Sequence, residues 1–170
     1  MIDSNRRNFD KLYINNELNN LNKTLSEKIN IYLLGGAIMA MKDLKSGTKD
    51  IDVIVTDNIT HQILVNALKK CNYYLLQSQD LSKPYNQLSA TALQNNCGFL
   101  WEIFIEYIAK KLALSDNMKS RATKIYCGKN LNVFGLSNED IFLMKSMTER
   151  DRDLDDMMLI VRTGIDYGII

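Results

Sequence analysis

The stretch LLGGAIMAMKDLKSGTKDIDVIV, residues 33–55, places a glycine pair and an aspartate pair on either side of a short apolar segment. Gly35 and Gly36 end the apolar run INIYLL, and Asp50 and Asp52 stand at the start of the β-branched run IDVIV. A strand that ends in two glycines lets backbone N–H groups and the first turn of a helix approach a phosphate closely. The first half of the stretch therefore predicts a phosphate-binding turn between a strand and a helix.

The second half of the stretch predicts a metal site. Side chains alternate between the two faces of a strand, so Asp50 and Asp52 project on the same side and repel each other. A bound divalent cation relieves this repulsion most simply, and Mg²⁺ prefers a few carboxylates together with substrate phosphates. Asp50 and Asp52 are therefore candidate metal ligands, and Gly35 and Gly36 are candidate nucleotide contacts.

Other phosphate-handling motifs fit these residues less well. The chain contains neither the Gly-x-x-x-x-Gly-Lys-Ser/Thr of a P-loop nor the Gly-x-Gly-x-x-Gly of a dinucleotide fold. Haloacid-dehalogenase-type phosphotransferases and many sugar-nucleotide glycosyltransferases carry Asp-x-Asp after the apolar run of the strand. Here the run VIV follows the pair, so both classes are disfavoured.

Apolar periodicity predicts alternating helices and strands along the rest of the chain. SNED, Ser137 to Asp140, has the form of a capping box and predicts a helix that starts there and continues, with a break, to about Arg162. The other predicted elements are helices over Asn8–Leu25, Ala37–Leu44 and Asp57–Tyr74, strands over Ile29–Leu34, Ile51–Val55 and Gly98–Ile105, a strand at YYLL, an edge strand near QLSATAL, and a hairpin of TKIYC and LNVFGL around Gly128.

Composition predicts one globular domain over residues 1–170, with a core at about 29–136 and a helical part at about 137–170. The chain is 46% apolar and 24% charged, and its single proline and eight glycines leave no linker between two domains. The formal net charge of +1 produces no overall positive electrostatic field that would attract nucleic acid or an anionic membrane. Basic pairs such as Arg6 and Arg7 are expected to be solvated surface.

No segment approaches the roughly 18 apolar residues of a membrane span, so we expect a cytoplasmic protein without a membrane partner. Three widely spaced cysteines, Cys71, Cys97 and Cys127, suggest neither a disulfide framework nor a zinc site and are expected to be reduced. His61, the single histidine, is expected on a helix surface rather than at a metal.

The glycine and aspartate pairs together resemble the nucleotidyltransferase superfamily. Its pattern is an apolar strand, Gly-Gly or Gly-Ser, a short helix, and Asp-x-Asp at the start of the next strand. Within that superfamily the chain is most similar to small bacterial and archaeal proteins related to the AbiEii-type toxins, in which Thr-Lys-Asp-Ile-Asp stands as TKDID does here.

The resemblance extends from about Ile29 to Asp156. LWEIF places Glu102 where the family has a third carboxylate, more often Asp, and LSDNMKSRA resembles the segment that follows it. LSNEDIFLMKSMTERDRDLDD resembles the family's lysine helix, with Lys145 followed by Arg152. The resemblance thus implies Lys145 and Arg152 as nucleotide contacts beside the acidic site.

The fold implied is α+β: a nucleotidyltransferase-type mixed sheet flanked by helices, with C-terminal helices packed beside the cleft. The function implied is transfer of a nucleoside monophosphate from an NTP to an acceptor, with Asp50, Asp52 and Glu102 holding two Mg²⁺ ions. The acceptor is left open between RNA, protein and a small molecule. The alternative is an inactive binding or regulatory protein, one half of a toxin and antitoxin pair.

The residues themselves leave two questions open: which glutamate is the third acid, and whether the charged C-terminal helix face binds a nucleotide. Glu106 follows Glu102 by four residues and faces the same side if the strand is regular, so it competes as the third acid. Lys145, Glu149, Arg152 and Asp156 share one helical face, which ion pairs on a solvated surface explain as well as a nucleotide does.

Overall fold

The computed structural model describes residues 6–77, 91–108, 112–147 and 151–170, with only the backbone for residues 151 and 152. The helices of these residues are α1 (Lys11–Thr24), α2 (Gly35–Met41), α3 (Asn58–Lys70), α4 (Asp116–Arg121), α5 (Asn138–Ser146) and α6 (Asp151–Arg162). Their strands are β1 (Ile29–Leu34), β2 (Asp50–Val55), β3 (Tyr74–Leu75), β4 (Thr91–Gln94), β5 (Leu100–Ile105), β6 (Tyr107–Ile108), β7 (Leu112–Ala113), β8 (Thr123–Cys127) and β9 (Leu131–Gly135).

Seven of the described strands form one mixed sheet in the order β3-β4-β5-β2-β1-β9-β8. β1 runs parallel to β9 and β2 runs parallel to β5, whereas the other neighbours are antiparallel. β6 and β7 pair separately. Helices flank this sheet, so the predicted α+β class is confirmed.

The central strands are apolar on both faces because both faces are covered. In β2, Ile51 and the three residues from Val53 to Val55 are fully buried, whereas Asp50 and Asp52 are half-buried. This contrast within one strand shows that the two aspartates lie along an opening in the packing. Burial of the surrounding aliphatic residues holds that opening in a rigid frame.

Most sequence-predicted elements agree with the structure to within a few residues. The predicted strand Ile29–Leu34 and the hairpin around Gly128 are confirmed. α1 begins at Lys11 rather than Asn8, because the Asp10 side chain accepts a hydrogen bond from Tyr13 N at 2.9 Å and caps the helix. Part of QLSATAL, residues 87–90, lies outside the described residues, and the remainder contributes to β4.

The predicted C-terminal helix with a break is confirmed as α5 and α6. Ser137 caps α5, its Oγ accepting from Asp140 N at 3.2 Å. Lys42, at the end of α2, donates to Leu136 O at 3.0 Å and to Asn138 Oδ1 at 2.8 Å. Burial lowers the pKa of Lys42. These bonds fix the start of α5 against the end of α2, the helix that begins with the glycine pair.

Among the helices that the structure describes, none has the length and apolar character needed to span a membrane.

Candidate active site

The three predicted acids lie on adjacent strands of the sheet. Asp52 of β2 pairs with Glu102 of β5 in the parallel register, and Asp50 lies two residues before Asp52 on the same strand. Register partners on neighbouring strands project to the same face of a sheet, as do residues two apart. The packing between β2 and β5 therefore brings together carboxylates that are far apart in sequence.

A cleft of about 220 Å³ opens over these strands. Asp50, Asp52 and Glu102 all line it, together with Gly36. Among the described residues, the charged side chains that line it are the carboxylates Asp50, Asp52, Glu102, Asp153 and Asp156 and the lysines Lys45, Lys49 and Lys145. In this described part of the lining, five acidic groups against three basic ones favour a cation or a cation-bound ligand over a free anion.

The glycine pair is fitted closely to the acidic site. Gly35 has φ +66°, and a Cβ added to it would overlap Oδ2 of Asp52. A Cβ added to Gly36 would lie 2.7 Å from Oγ1 of Thr48. Any larger residue at either position would displace a side chain next to the acids, so both positions require glycine.

Asp50 is held by two neighbours from outside its own strand pair. Its Oδ2 lies 3.4 Å from Nη2 of Arg6, and its Oδ1 accepts from Oγ1 of Thr48 at 3.3 Å. The Arg6 side chain is only 8% exposed. The expectation that Arg6 is solvated surface is therefore wrong, because its guanidinium lies against the acid. No local sequence signal marks this contact, which links residues 44 positions apart.

Lys145 also reaches the cleft. Its ammonium donates to Asp153 Oδ1 at 2.8 Å and to Asp156 Oδ2 at 2.6 Å, and the side chains of all three residues are buried. Lys45 donates to the other oxygen of Asp156 at 2.7 Å. This network joins α5, α6 and the loop after α2 beside the acids. The side chain of Arg152 lies outside the described residues.

Glu106 does not share the position of Glu102. β5 ends at Ile105, and Glu106 has φ +57°, which interrupts the alternation of side chains. Glu102 is 4% exposed and lines the acidic cleft, whereas Glu106 is exposed and lines a separate depression with Tyr107 and Lys119. Of the two competing carboxylates, the structure brings only Glu102 to the aspartate pair.

The expectation that His61 lies on a helix surface is wrong. His61 is buried on α3, and its Nε2 forms a 2.8 Å hydrogen bond with Oγ1 of Thr91 on β4. Burial lowers the pKa of the imidazole. The helical periodicity around His61 agrees with α3, but its hydrogen bond to Thr91, 30 residues away, cannot be seen in a local pattern.

The donor chemistry of the cleft fits Mg²⁺, since three carboxylates supply hard oxygen ligands next to a glycine turn. As they stand, however, the described residues include no set of three acidic, histidine or cysteine side chains positioned to hold a metal ion. Asp50, one of the three carboxylates, is already in contact with Arg6 and Thr48. Metal binding would require a local rearrangement of these side chains.

Residues 11–166 match the family described as "Nucleotidyltransferase of unknown function (DUF6036)". No curated protein matches the sequence. The family match covers most of the chain, including the glycine turn and all three cleft acids.

Several solved structures have similar folds. The lincosamide antibiotic adenylyltransferase LnuA, bound to lincomycin, is 14% identical with TM-score 0.58, and the match covers 91% of this chain and 98% of that one. ANT(2")-Ia in complex with adenylyl-2"-tobramycin is 8% identical with TM-score 0.58, covering 92% and 90%. TM1012 of Thermotoga maritima, assigned to the nucleotidyltransferases, is 12% identical with TM-score 0.54, covering 91% and 96%. At these identities the likeness concerns the fold.

Proposed function

We propose a reaction for this chain, which belongs to the DUF6036 family of nucleotidyltransferases. The chain transfers a nucleoside monophosphate from an NTP to an acceptor hydroxyl. The acceptor oxygen forms a bond to the α-phosphorus, the bond from that phosphorus to the bridging oxygen of the β-phosphate breaks, and pyrophosphate leaves. The hydroxyl proton passes to a carboxylate of the cleft.

The observation that carries this proposal is the register of β2 with β5. It puts Asp52 beside Glu102 on one face of the sheet, with Asp50 two residues away and all three lining one cleft. Such a group of carboxylates costs electrostatic free energy unless cations balance it. A group of carboxylates gathered in one cleft is typical of metal-dependent chemistry on phosphates.

Asp50, Asp52 and Glu102 are the residues that would hold two Mg²⁺ ions. When bound, the ions would supply Lewis-acid stabilisation of the charge that develops on the phosphate oxygens. Glu102, the most buried of the three, would accept the proton of the acceptor hydroxyl. Burial on β5 fixes its carboxylate and keeps bulk water away from it.

The backbone of Gly35 and Gly36, which form the first turn of α2, would bind the β- and γ-phosphates. Lys145 and Arg152 would balance the remaining negative charge of the nucleotide. An NTP brings about four negative charges to a lining that is already acidic, so cations other than the metal are needed. Lys145 reaches the cleft, which supports this role.

The acceptor class is open between RNA, protein and a small molecule. The solved structures of LnuA and ANT(2")-Ia concern nucleotidyl transfer to antibiotics, which supports the reaction class but not an acceptor for this chain. A toxin role of the AbiEii type and an antitoxin partner rest on the TKDID motif and the lysine helix alone. The toxin role, the antitoxin partner and a cytoplasmic location are therefore proposed on the sequence alone.

The second candidate is a nucleotide-binding protein without turnover. The observation that favours it is the pairing of Asp50 with Arg6, which engages a carboxylate that the reaction needs for metal. Under this alternative, NTP and Mg²⁺ bind but no covalent product forms.

The test is incubation with each NTP labelled at the α-phosphate, and in parallel at the γ-phosphate, together with total RNA, protein and small-molecule fractions of a cell lysate. Nucleotidyl transfer moves the α-label to one fraction and leaves the γ-label in pyrophosphate. Movement of the γ-label to an acceptor would indicate phosphoryl transfer and contradict the proposal. Binding without movement of either label would favour the second candidate.

A further inference from the structure

We propose that Arg6 is an internal counter-cation of the metal site, and that it competes with the divalent cation for Asp50. The N-terminal segment, defined here as residues 6–9, would then set the metal affinity of the cleft. This inference rests on the proposed function, because it takes Asp50 to be a metal ligand.

The guanidinium of Arg6 is bonded on two sides. Nη2 lies 3.4 Å from Oδ2 of Asp50, while Nη1 donates to the backbone oxygens of Lys49 at 3.2 Å and Gly98 at 3.4 Å. Lys49 and Gly98 precede β2 and β5, the two strands that carry the acids. Arg6 therefore sits where these strands begin and reaches the first cleft carboxylate from there.

The N-terminal segment is fixed in this position by its own contacts. Phe9 N donates to Thr48 O at 2.7 Å, and Thr48 N donates to Phe9 O at 2.9 Å, so the segment pairs with the loop before β2. A Cβ added to Gly47 would lie 2.7 Å from Phe9 O, so the close approach depends on glycine. The Phe9 ring is buried, 4.7 Å from the ring of Phe99.

Charge explains why Arg6 and a metal ion compete. Oδ2 of Asp50 contacts Arg6 and Oδ1 accepts from Thr48, so a cation can share Oδ1 with the neutral hydroxyl, whereas on Oδ2 it meets the positive guanidinium. The side chains of Arg6 and Asp50 are 8% and 15% exposed, and a pair so shielded from water interacts more strongly than a surface pair. A guanidinium and a divalent cation on the same carboxylate would also repel each other.

The backbone bonds of Arg6 allow a small rearrangement. Nη1 keeps the oxygens of Lys49 and Gly98 while Nη2 gives up Asp50, so the segment can stay paired with Thr48. The free chain thus holds Asp50 balanced by Arg6, and the bound chain holds it balanced by metal.

The experiment measures Mn²⁺ binding without nucleotide, by the loss of the free-ion signal in electron paramagnetic resonance. Arg6→Gln should bind Mn²⁺ about tenfold more tightly than the unaltered chain, because the competitor is gone. Arg7→Gln is the matched control, since Arg7 is exposed and lies over the Phe9 ring at 5.4 Å. Repeating both at about 0.5 M salt removes the long-range effect of one lost charge.

Three outcomes are distinguished. Tighter binding by Arg6→Gln but not by Arg7→Gln at high salt supports the inference. Equal or weaker binding by Arg6→Gln, with Mn²⁺ still bound by the unaltered chain and lost in Asp52→Asn, overturns the inference and leaves the proposed function standing. Absence of Mn²⁺ binding in all variants overturns both.

A second measurement on the unaltered chain covers the case in which Arg6→Gln does not fold. Modification by phenylglyoxal, mapped by peptide mass spectrometry, reports how accessible each arginine is. Mn²⁺ should increase the modification of Arg6, which loses its partner, and leave that of Arg7 unchanged. Protection of Arg6 by Mn²⁺, or no change, contradicts the competition.

Discussion

At the scale of single residues, the contact between Gly35 and Asp52 couples the glycine turn to the acids. Gly35 follows Leu34, the last residue of β1, and Leu34 is the register partner of Asp52 on β2. The positive φ of Gly35 turns the chain into α2 while its missing side chain leaves room for the Asp52 carboxylate. The glycine pair and the aspartate pair are therefore parts of one packing unit.

Gly35→Ala tests this coupling. The new Cβ would overlap Asp52 Oδ2 and strain a backbone at φ +66°, so we expect transfer to fall about a hundredfold and stability to fall by about 2 kcal/mol. The control is Gly164→Ala, at φ +91° with no atom within 4 Å of the added Cβ. That variant should lose about 1 kcal/mol from strain alone and keep its activity. Labelled transfer and urea denaturation give the two quantities, and equal activity in both variants would contradict the coupling.

At the scale of elements, Lys145 links α5 to α6 through two buried aspartates. Lys145→Met would leave Asp153 and Asp156 buried without the ammonium, so we expect a loss of about 3–5 kcal/mol in the free energy of unfolding. This structural role adds to the predicted nucleotide contact, and it means that substitution lowers stability as well as binding.

The control for Lys145→Met is Lys11→Met. Lys11 forms a 2.8 Å pair with Asp43, but the two side chains are 43% and 76% exposed, so its loss should cost less than about 1 kcal/mol. Chemical denaturation compares the two variants directly. Similar small losses in both would show that the buried network contributes little.

The contact of α3 with β4 should make stability depend on pH. Burial holds the pKa of folded His61 below its unfolded value of about 6.5, so the unfolded state binds a proton first. The contribution of His61 is therefore complete above about pH 6.5 and decreases as the pH falls toward the folded pKa.

His61→Gln isolates this contribution from the titration of carboxylates. The stability of the unaltered chain, relative to His61→Gln, should decrease between about pH 7.5 and pH 5.5, as measured by urea denaturation at each pH. Parallel stability curves, or a relative gain at the acid end, would contradict the assignment.

The elements near the site could be predicted because each carries a local signal. β1 and β2 are short apolar runs bounded by glycines or polar residues. Ser137 is a recognisable N-cap and predicts the start of α5. The side-by-side position of Asp50 and Asp52 follows from strand alternation alone.

Non-local pairings could not be predicted in the same way. The register of Asp52 with Glu102, the pairing of Phe9 with Thr48 and the contact of Arg6 with Asp50 join segments whose local sequences carry no information about each other. The resemblance to a known family predicts Glu102 as a site residue, whereas no feature of the sequence predicts Arg6. The expectation for His61 is wrong for the same reason, because its hydrogen-bond partner Thr91 is 30 residues away in sequence.

At the scale of the whole molecule, the cleft lies where three parts of the chain meet. β2 and β5 provide the acids, the N-terminal segment provides Arg6, and α5 with α6 provides Lys145 and its aspartates. A ligand that bridges these parts should stabilise the whole fold.

Thermal unfolding should show this bridging as a joint effect of Mg²⁺ and NTP. Together they should raise the melting temperature by more than the sum of their separate shifts, because each supplies contacts for the other. A chain of this size gains about 2–4 °C for each kcal/mol of binding free energy. Asp52→Asn should abolish the joint effect, and purely additive shifts in the unaltered chain would contradict a shared site.

The most direct measurement of all is transfer of the α-label by two matched carboxylate variants, Glu102→Gln and Glu106→Gln. Both acids lie at or just beyond β5, but only Glu102 lines the cleft with Asp50 and Asp52. We expect Glu102→Gln to transfer less than about 1% as fast as the unaltered chain and Glu106→Gln to stay within about twofold of it. Unimpaired transfer by Glu102→Gln would show that the group of Asp50, Asp52 and Glu102 is not where the reaction occurs.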